Sequence, residues 1–169
     1  MSISVVLALL SLAQPAEAAL RFSDSREGHM ETNAAQSGPT GVELVHEFNF
    51  GPDTIRKYRL ENGLTIIVME DHHAPVAAFQ TWFAVGSGNE QAGRTGIAHL
   101  FEHLMFKETK NLPAGEFDRL LELNGVSTNA ATWLDWTYYR ENLPSSKLEL
   151  VMKLEADCME HMIPDEEQP

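Results

Sequence analysis

The stretch from Gly96 to Phe106, Gly-Ile-Ala-His-Leu-Phe-Glu-His-Leu-Met-Phe, constrains this chain more than any other part of it. Wound as an α-helix at about 100° per residue, it sets His103 about 40° from His99 and Glu102 at about 300°, within one polar arc. Ile97, Leu100, Phe101, Leu104 and Met105 fall on the opposite side, which predicts a helix anchored to a core through its apolar face. Two imidazoles at i and i+4 are close enough to share one Zn²⁺ at ~2.0–2.1 Å each. Glu102 cannot easily complete that shell from the same turn, but it can reach a water beside the metal. Zinc lowers the pKa of such a water towards ~7, and a carboxylate can then take its proton as the water attacks a carbonyl. The pattern is H-x-x-E-H, the inverse of H-E-x-x-H.

The flanking sequence predicts strands before this helix and a mixture of both element types after it. Ile55 to Leu60 and Leu64 to Met69 read as strands joined at Asn62-Gly63, a strong hairpin signal. Val76 to Val85 reads as a central strand, and glycines 86, 88, 93 and 96 bracket a loop. The catalytic-motif helix is expected over 95–106 and a second over 114–124, with Gly125 closing it. Thr128 to Thr132 and Thr137 to Asn142 read as strands. A last helix opens at Ser145 or Ser146 and ends at Pro164, with Leu148, Val151, Met152, Glu155, Cys158, Met159 and Met162 on one mostly apolar face. The expected fold class is α/β (α+β), a mixed β-sheet with helices packed against it.

Composition narrows the function classes. The 169 residues suit one domain. A formal net charge of −13 argues against a nucleic-acid partner, whose affinity comes mainly from phosphate neutralisation. The single cysteine, Cys158, excludes an internal disulfide framework and any Cys-rich zinc module, and on an apolar helix face it reads as an inert core thiol. No apolar run is long enough to span a membrane in the mature chain.

The two ends read differently from the middle. An apolar run from Ile3 to Ala13 precedes Ala16-Glu17-Ala18, an A-x-A cleavage pattern, so residues 1–18 are expected to be a signal peptide and the protein to be exported, to the periplasm or beyond. No Lys or Arg precedes the run; a buried N-terminal strand is the other reading of it. Residues 19–45 read as a polar linker and 46–169 as the folded portion. The abrupt end at Asp165-Glu-Glu-Gln-Pro169 reads as a truncation.

Several ordered blocks resemble the M16 family of zinc metallopeptidases, which includes pitrilysin, insulin-degrading enzyme and the mitochondrial processing peptidases. They run from about Tyr58 to Glu167: Leu60-Glu-Asn-Gly-Leu-Thr-Ile-Ile-Val, Trp82-Phe-Ala-Val-Gly-Ser-Gly-Asn-Glu, and Thr95 through Lys107. Asn129-Ala-Ala-Thr, Asp135-Trp-Thr-Tyr-Tyr and Leu154-Glu-Ala-Asp follow. The resemblance implies a zinc-dependent endopeptidase with Zn²⁺ on His99 and His103 and with Glu102 as general base. It implies that Asn129, Ala130 and Thr132 lie on a cleft strand that pairs with an extended peptide or unfolded polypeptide, a mode that reads backbone more than side chains. It also implies a second, homologous half, fused or separate. The family's third zinc ligand is a Glu beyond Pro169; Glu149, Glu155 and Glu160 match other positions and read as solvated or structural. A non-catalytic peptide-binding or scaffold subunit, or an inactive fragment lacking that ligand, is the alternative.

Other features read more plainly. Gly88-Asn-Glu-Gln-Ala-Gly-Arg-Thr nearly matches a phosphate-binding loop, but Arg94 replaces the required Lys and Glu90 would repel phosphate. His72 and His73 are adjacent on an extended segment, so they point to opposite faces and cannot easily chelate together. His29 and His46 sit in or beside the linker, and His161 falls at a helix end, where the dipole favours it. Trp82, Trp133 and Trp136 read as core or sheet-face residues, the last two flanking the cleft strand.

Overall fold

A computed structural model describes residues 3–10, as backbone, and 41–163. In chain order the elements are β1 (Ile3–Leu10), β2 (Val42–Phe50), β3 (Asp53–Leu60), β4 (Thr65–Asp71), β5 (Val76–Phe83), α1 (Ile97–Leu104), α2 (Glu116–Leu123), β6 (Ser127–Thr132), β7 (Thr137–Pro144) and α3 (Leu148–His161). The strands form one mixed sheet in the order β2-β3-β4-β1-β5-β7-β6. All pairings are antiparallel except β1 with β5. This is the mixed sheet with packed helices that the sequence predicts.

The β3–β4 hairpin turns where Asn62-Gly63 places it. Gly63 sits at φ 89°, a left-handed conformation that glycine adopts without steric cost, and Asn62 Oδ1 accepts the Leu64 N–H at 3.1 Å. The strand β2 starts at Val42 and so takes in the last residues expected to be linker. As an edge strand exposed on both faces, with a register shift between Leu44 and His46, it carries no clean alternation for a sequence reading to detect. The apolar run expected to be a leader contributes β1, set between β4 and β5. The A-x-A pattern at 16–18, residues 11–40 of the leader and linker including His29, and the last residues from Pro164 lie outside the described residues.

One face of the sheet carries the core. Along β5, Ala77, Phe79 and Thr81 are buried, and along β7, Thr137, Tyr139, Glu141 and Leu143, the period-2 pattern of strands covered on one side. Phe117 and Leu121 of α2 and Val151, Leu154 and Cys158 of α3 pack onto them. Burial pushes the Cys158 thiol up to about 12, so it is the inert core thiol expected. Helix α2 ends as expected at Gly125 (φ 69°), with the Val126 N–H donating to Leu121 O at 3.0 Å. Met152 and Met159, expected on the buried face of α3, are exposed; the buried stripe runs Val151, Leu154, Glu155, Cys158.

Glu155 is therefore neither solvated nor on a free helix face. It is 2% exposed and meets Glu141, which is fully buried. Thr81 Oγ1 donates to Glu155 Oε2 at 2.5 Å and Thr128 Oγ1 to Glu141 Oε1 at 3.2 Å, whereas Glu141 Oε2 has no donor. Two carboxylates cannot both stay ionised in such a site. A proton kept on Glu141 makes its carboxyl a donor toward Glu155. Burial, then the neighbouring Glu155 charge, pushes Glu141 up to about 10, and burial raises Glu155 as well.

The segment after α1 is tied to the end of α3. Asp157 accepts hydrogen bonds from Thr109 Oγ1 at 2.5 Å and from the Asn111 amide, and its Oδ1 lies 3.0 Å from His161 Nδ1. Thr109, then Asn111 and His161, hold its carboxyl below the usual range. His161 thus has a carboxylate partner on its own helix in addition to the helix terminus.

Candidate active site

The loop that feeds α1 is fixed before the helix begins. A Cβ on Gly86 would lie 2.3 Å from the Trp133 carbonyl oxygen, so only glycine fits this crossing of the β5–α1 loop over the β6–β7 turn. The Ser87 N–H donates to Trp133 O at 2.8 Å and the Gly88 N–H to Leu134 O at 2.6 Å. Helix α1 has no capping side chain at Gly96. Glu90 supplies one from a distance, accepting the Gly96 N–H at 2.8 Å and the Ala98 N–H at 2.9 Å. These backbone donors, Ala98 first, hold its carboxyl below the ordinary range. The near-match to a phosphate loop is thus a self-capped helix start whose anion site is taken by a carboxylate.

On α1, His99 and His103 lie one turn apart with tilted rings whose centroids are 4.7 Å apart and with Nε2 atoms 3.1 Å apart. Two ligands at ~2.0–2.1 Å from one tetrahedral ion stand about 3.3 Å from each other, so the pair fits a shared zinc. Both rings are exposed. Among the described residues no third His, Cys, Asp or Glu completes a ligand set. Glu102 is 8% exposed, and its Oε2 accepts the Thr132 hydroxyl at 2.5 Å.

The orientation of α1 differs from the sequence expectation. Ala98 and Glu102 are its buried residues, while Ile97, Leu100 and Phe101 are exposed; toward its end Met105 packs on the core. The helix lies with Ala98 and Glu102 inward, and Glu102 meets the Thr132 hydroxyl of β6 rather than open solvent. Part of the apolar face borders a cavity of about 540 Å³ lined by Phe83, Val85, Phe101, Met105 and Tyr139. None of His99, Glu102 and His103 lines it.

The strand β6 is the sheet edge nearest the trio, and among the described residues nothing pairs with its outer side. Thr132 and Ala130 face α1, in register with the buried Thr137 and Tyr139. Asn129 is opposite Arg140, so its exposed side chain points to the other face of the sheet, and only its backbone shares the trio's edge. On that other face Trp82 stacks on Tyr138 at 4.8 Å and lies 5.3 Å from Trp136, which in turn stacks with Trp133 at 6.4 Å. The aromatic residues thus form a sheet-face cluster, with Trp133 exposed at its rim. Asp71 binds His73, and His72 Nε2 lies 3.9 Å from Glu70, so the two rings have separate partners, as their adjacency implies. The sequence reading missed Glu90 as the α1 cap and Thr132 as a partner of Glu102; an acidic residue shortly before an uncapped helix was the available signal for the first.

Comparison with known proteins finds similar chains. Residues 65–167 match the family model described as Insulinase (Peptidase family M16). The chain is 41% identical over 101 residues to the zinc protease PqqE of Helicobacter pylori, covering 59% of this chain and 23% of that protein. It is 31% identical over 109 residues to the mitochondrial cytochrome b-c1 complex subunit 1 of Rattus norvegicus, covering 64% and 22%. Among solved structures, the first half of the periplasmic protease PqqL from Escherichia coli superposes with a TM-score of 0.51 at 27% identity, over 54% of this chain and 21% of that one. Pitrilysin shares the fold, with a TM-score of 0.63 at 22% identity over 75% and 14%. The chain spans less than a quarter of the length of each of these relatives.

Proposed function

Because the chain belongs to the insulinase family of peptidases, M16, we propose that the intact protein is a zinc endopeptidase in which Glu102 acts as the general base. The observation that carries this is the trio on α1: two Nε2 atoms 3.1 Å apart, beside a carboxylate that accepts a hydroxyl from β6. His99 and His103 would hold the ion, together with a third ligand from elsewhere in the protein. Zinc, when bound, supplies a Lewis acid that polarises the scissile carbonyl and acidifies water. Glu102 takes the proton of the attacking water and passes it to the leaving amine. The open edge of β6, at Asn129, Ala130 and Thr132, pairs with an extended stretch of peptide and holds its backbone across the trio. A second M16-type half, fused or separate, would close over that peptide; the relative described as the first half of PqqL supports this.

The test is direct. The purified intact protein is expected to carry one zinc per site and to cleave an unfolded polypeptide. Chelation should abolish cleavage and added Zn²⁺ restore it. A metal-free preparation that cleaves equally well would overturn the proposal. The identity to a cytochrome b-c1 subunit favours a second reading, a scaffold subunit that binds peptide without cutting it; peptide binding without zinc is its signature.

Export is part of the same proposal, supported by the A-x-A pattern and by the periplasmic relative. A leader removed after Ala18 would take β1 with it and free the facing edges of β4 and β5, which another strand of the intact protein would then have to cover. N-terminal sequencing of the mature protein decides between these: a start at Ala19 supports export, and a retained Ser2 keeps β1 in the sheet.

A further inference from the structure

We infer that Thr132 is a positioning residue for Glu102, so that the strand expected to seat the substrate also aims the base. The inference rests on the peptidase reading above and gives Thr132 a role distinct from contact with peptide. Glu102 has little freedom of environment at 8% exposure, and one of its two oxygens, Oε2, is occupied by the Thr132 hydroxyl at 2.5 Å. That leaves Oε1 as the oxygen available to a water proton. A free Glu side chain on a helix samples several rotamers; a charge-assisted hydrogen bond to a strand residue selects among them.

The donor is itself well fixed. Thr132 closes β6 in register with Thr137 of β7, and the two hydroxyl oxygens are 3.4 Å apart. Thr137 Oγ1 in turn donates to the Val85 carbonyl at 2.9 Å, just beyond the end of β5. The hydroxyl that orients Glu102 is therefore carried on the last paired residue of β6, packed beside Thr137, while the outer edge of its own strand is open among the described residues. A peptide pairing there would press on the same element that sets the carboxylate's direction. Orientation of a reacting group acts on the chemical step and little on ground-state binding.

The experiment compares Thr132→Val and Thr132→Ser in the intact protein, with kcat and KM measured on one peptide at matched zinc content and matched melting temperature. Valine keeps the shape and removes the hydroxyl; it should lower kcat about 10- to 100-fold and leave KM within about twofold. Serine keeps the hydroxyl and should restore kcat to within a few-fold. Should the valine variant fail to fold, Thr132→Ala takes its place, with the same expected loss. Unchanged kcat in the valine or alanine variant overturns the inference, as does a serine variant no better than valine. A change confined to KM overturns it too, because it marks Thr132 as a peptide contact only. Glu102→Gln in the same assay separates the two levels: if it is fully active the peptidase reading fails. If it is inactive while Thr132→Val is unimpaired, the positioning role alone fails.

Discussion

Glu102→Gln in the intact protein should keep its zinc and lose peptide hydrolysis by about 10²- to 10⁴-fold, the range that a general base contributes. Glutamine has nearly the same shape, and its amide oxygen can still accept the Thr132 hydroxyl that Glu102 Oε2 accepts at 2.5 Å. The side chain therefore stays where it is, and what disappears is its ability to hold a proton. His99 and His103 are untouched, and their 3.1 Å Nε2 separation does not depend on the charge of Glu102. Zinc stoichiometry and kcat measured on one preparation separate these effects. Normal turnover in the variant would remove Glu102 from the role of base.

The buried pair Glu141 and Glu155 predicts a stability that depends on pH in an unusual direction. Burial pushes Glu141 up to about 10, so the folded protein keeps a proton that the unfolded chain gives up above about pH 4.5. The contribution of the pair is complete below that pH and is lost as pH rises towards 10. Its slope is at most about 1.4 kcal/mol per pH unit for one proton. Glu141→Gln supplies a permanent donor to Glu155 where the shared proton was, and should flatten this dependence. In the intact protein the variant is expected to melt higher relative to the parent at pH 9 than at pH 5. Parallel melting curves across that range would show that the two carboxyls share no proton. Tyr139 is raised in the same region, by burial first and then by the charges of Glu102 and Glu155; it stays neutral throughout the range and does not confuse the reading.

Much of the arrangement was legible from residue order. Asn62-Gly63 marked its hairpin because the loop between Leu60 and Leu64 ends on a residue at positive φ, and Gly125 closed α2 for the same reason. The strands β5, β6 and β7 fell close to where runs of β-branched and aromatic residues put them. What periodicity could not supply was the neighbour of each face. The apolar stripe of α1 was expected to be its anchor, yet Ile97, Leu100 and Phe101 are exposed and Glu102 is buried. A sequence reports that two faces differ, and hydrophobicity then assigns the inner one by default. Here the residues turned inward are Ala98 and Glu102, the latter against the Thr132 hydroxyl, while His99 and His103 stay exposed. Glu155 was read as solvated or structural and is structural; what the sequence could not name is its partner, a second carboxyl 14 residues away at Glu141 that only the fold brings against it.

The sequence alone determined the chemistry on offer, because H-x-x-E-H fixes which side chains share a helical arc whatever surrounds the helix. It also determined the family, through blocks of residues whose order is preserved. The tertiary structure alone decided where that arc points, what holds Glu102 in place and which strand edge lies open beside it. These depend on contacts between residues far apart in the chain, such as Glu102 with Thr132 and Glu90 with the start of α1, and local periodicity contains no term for them.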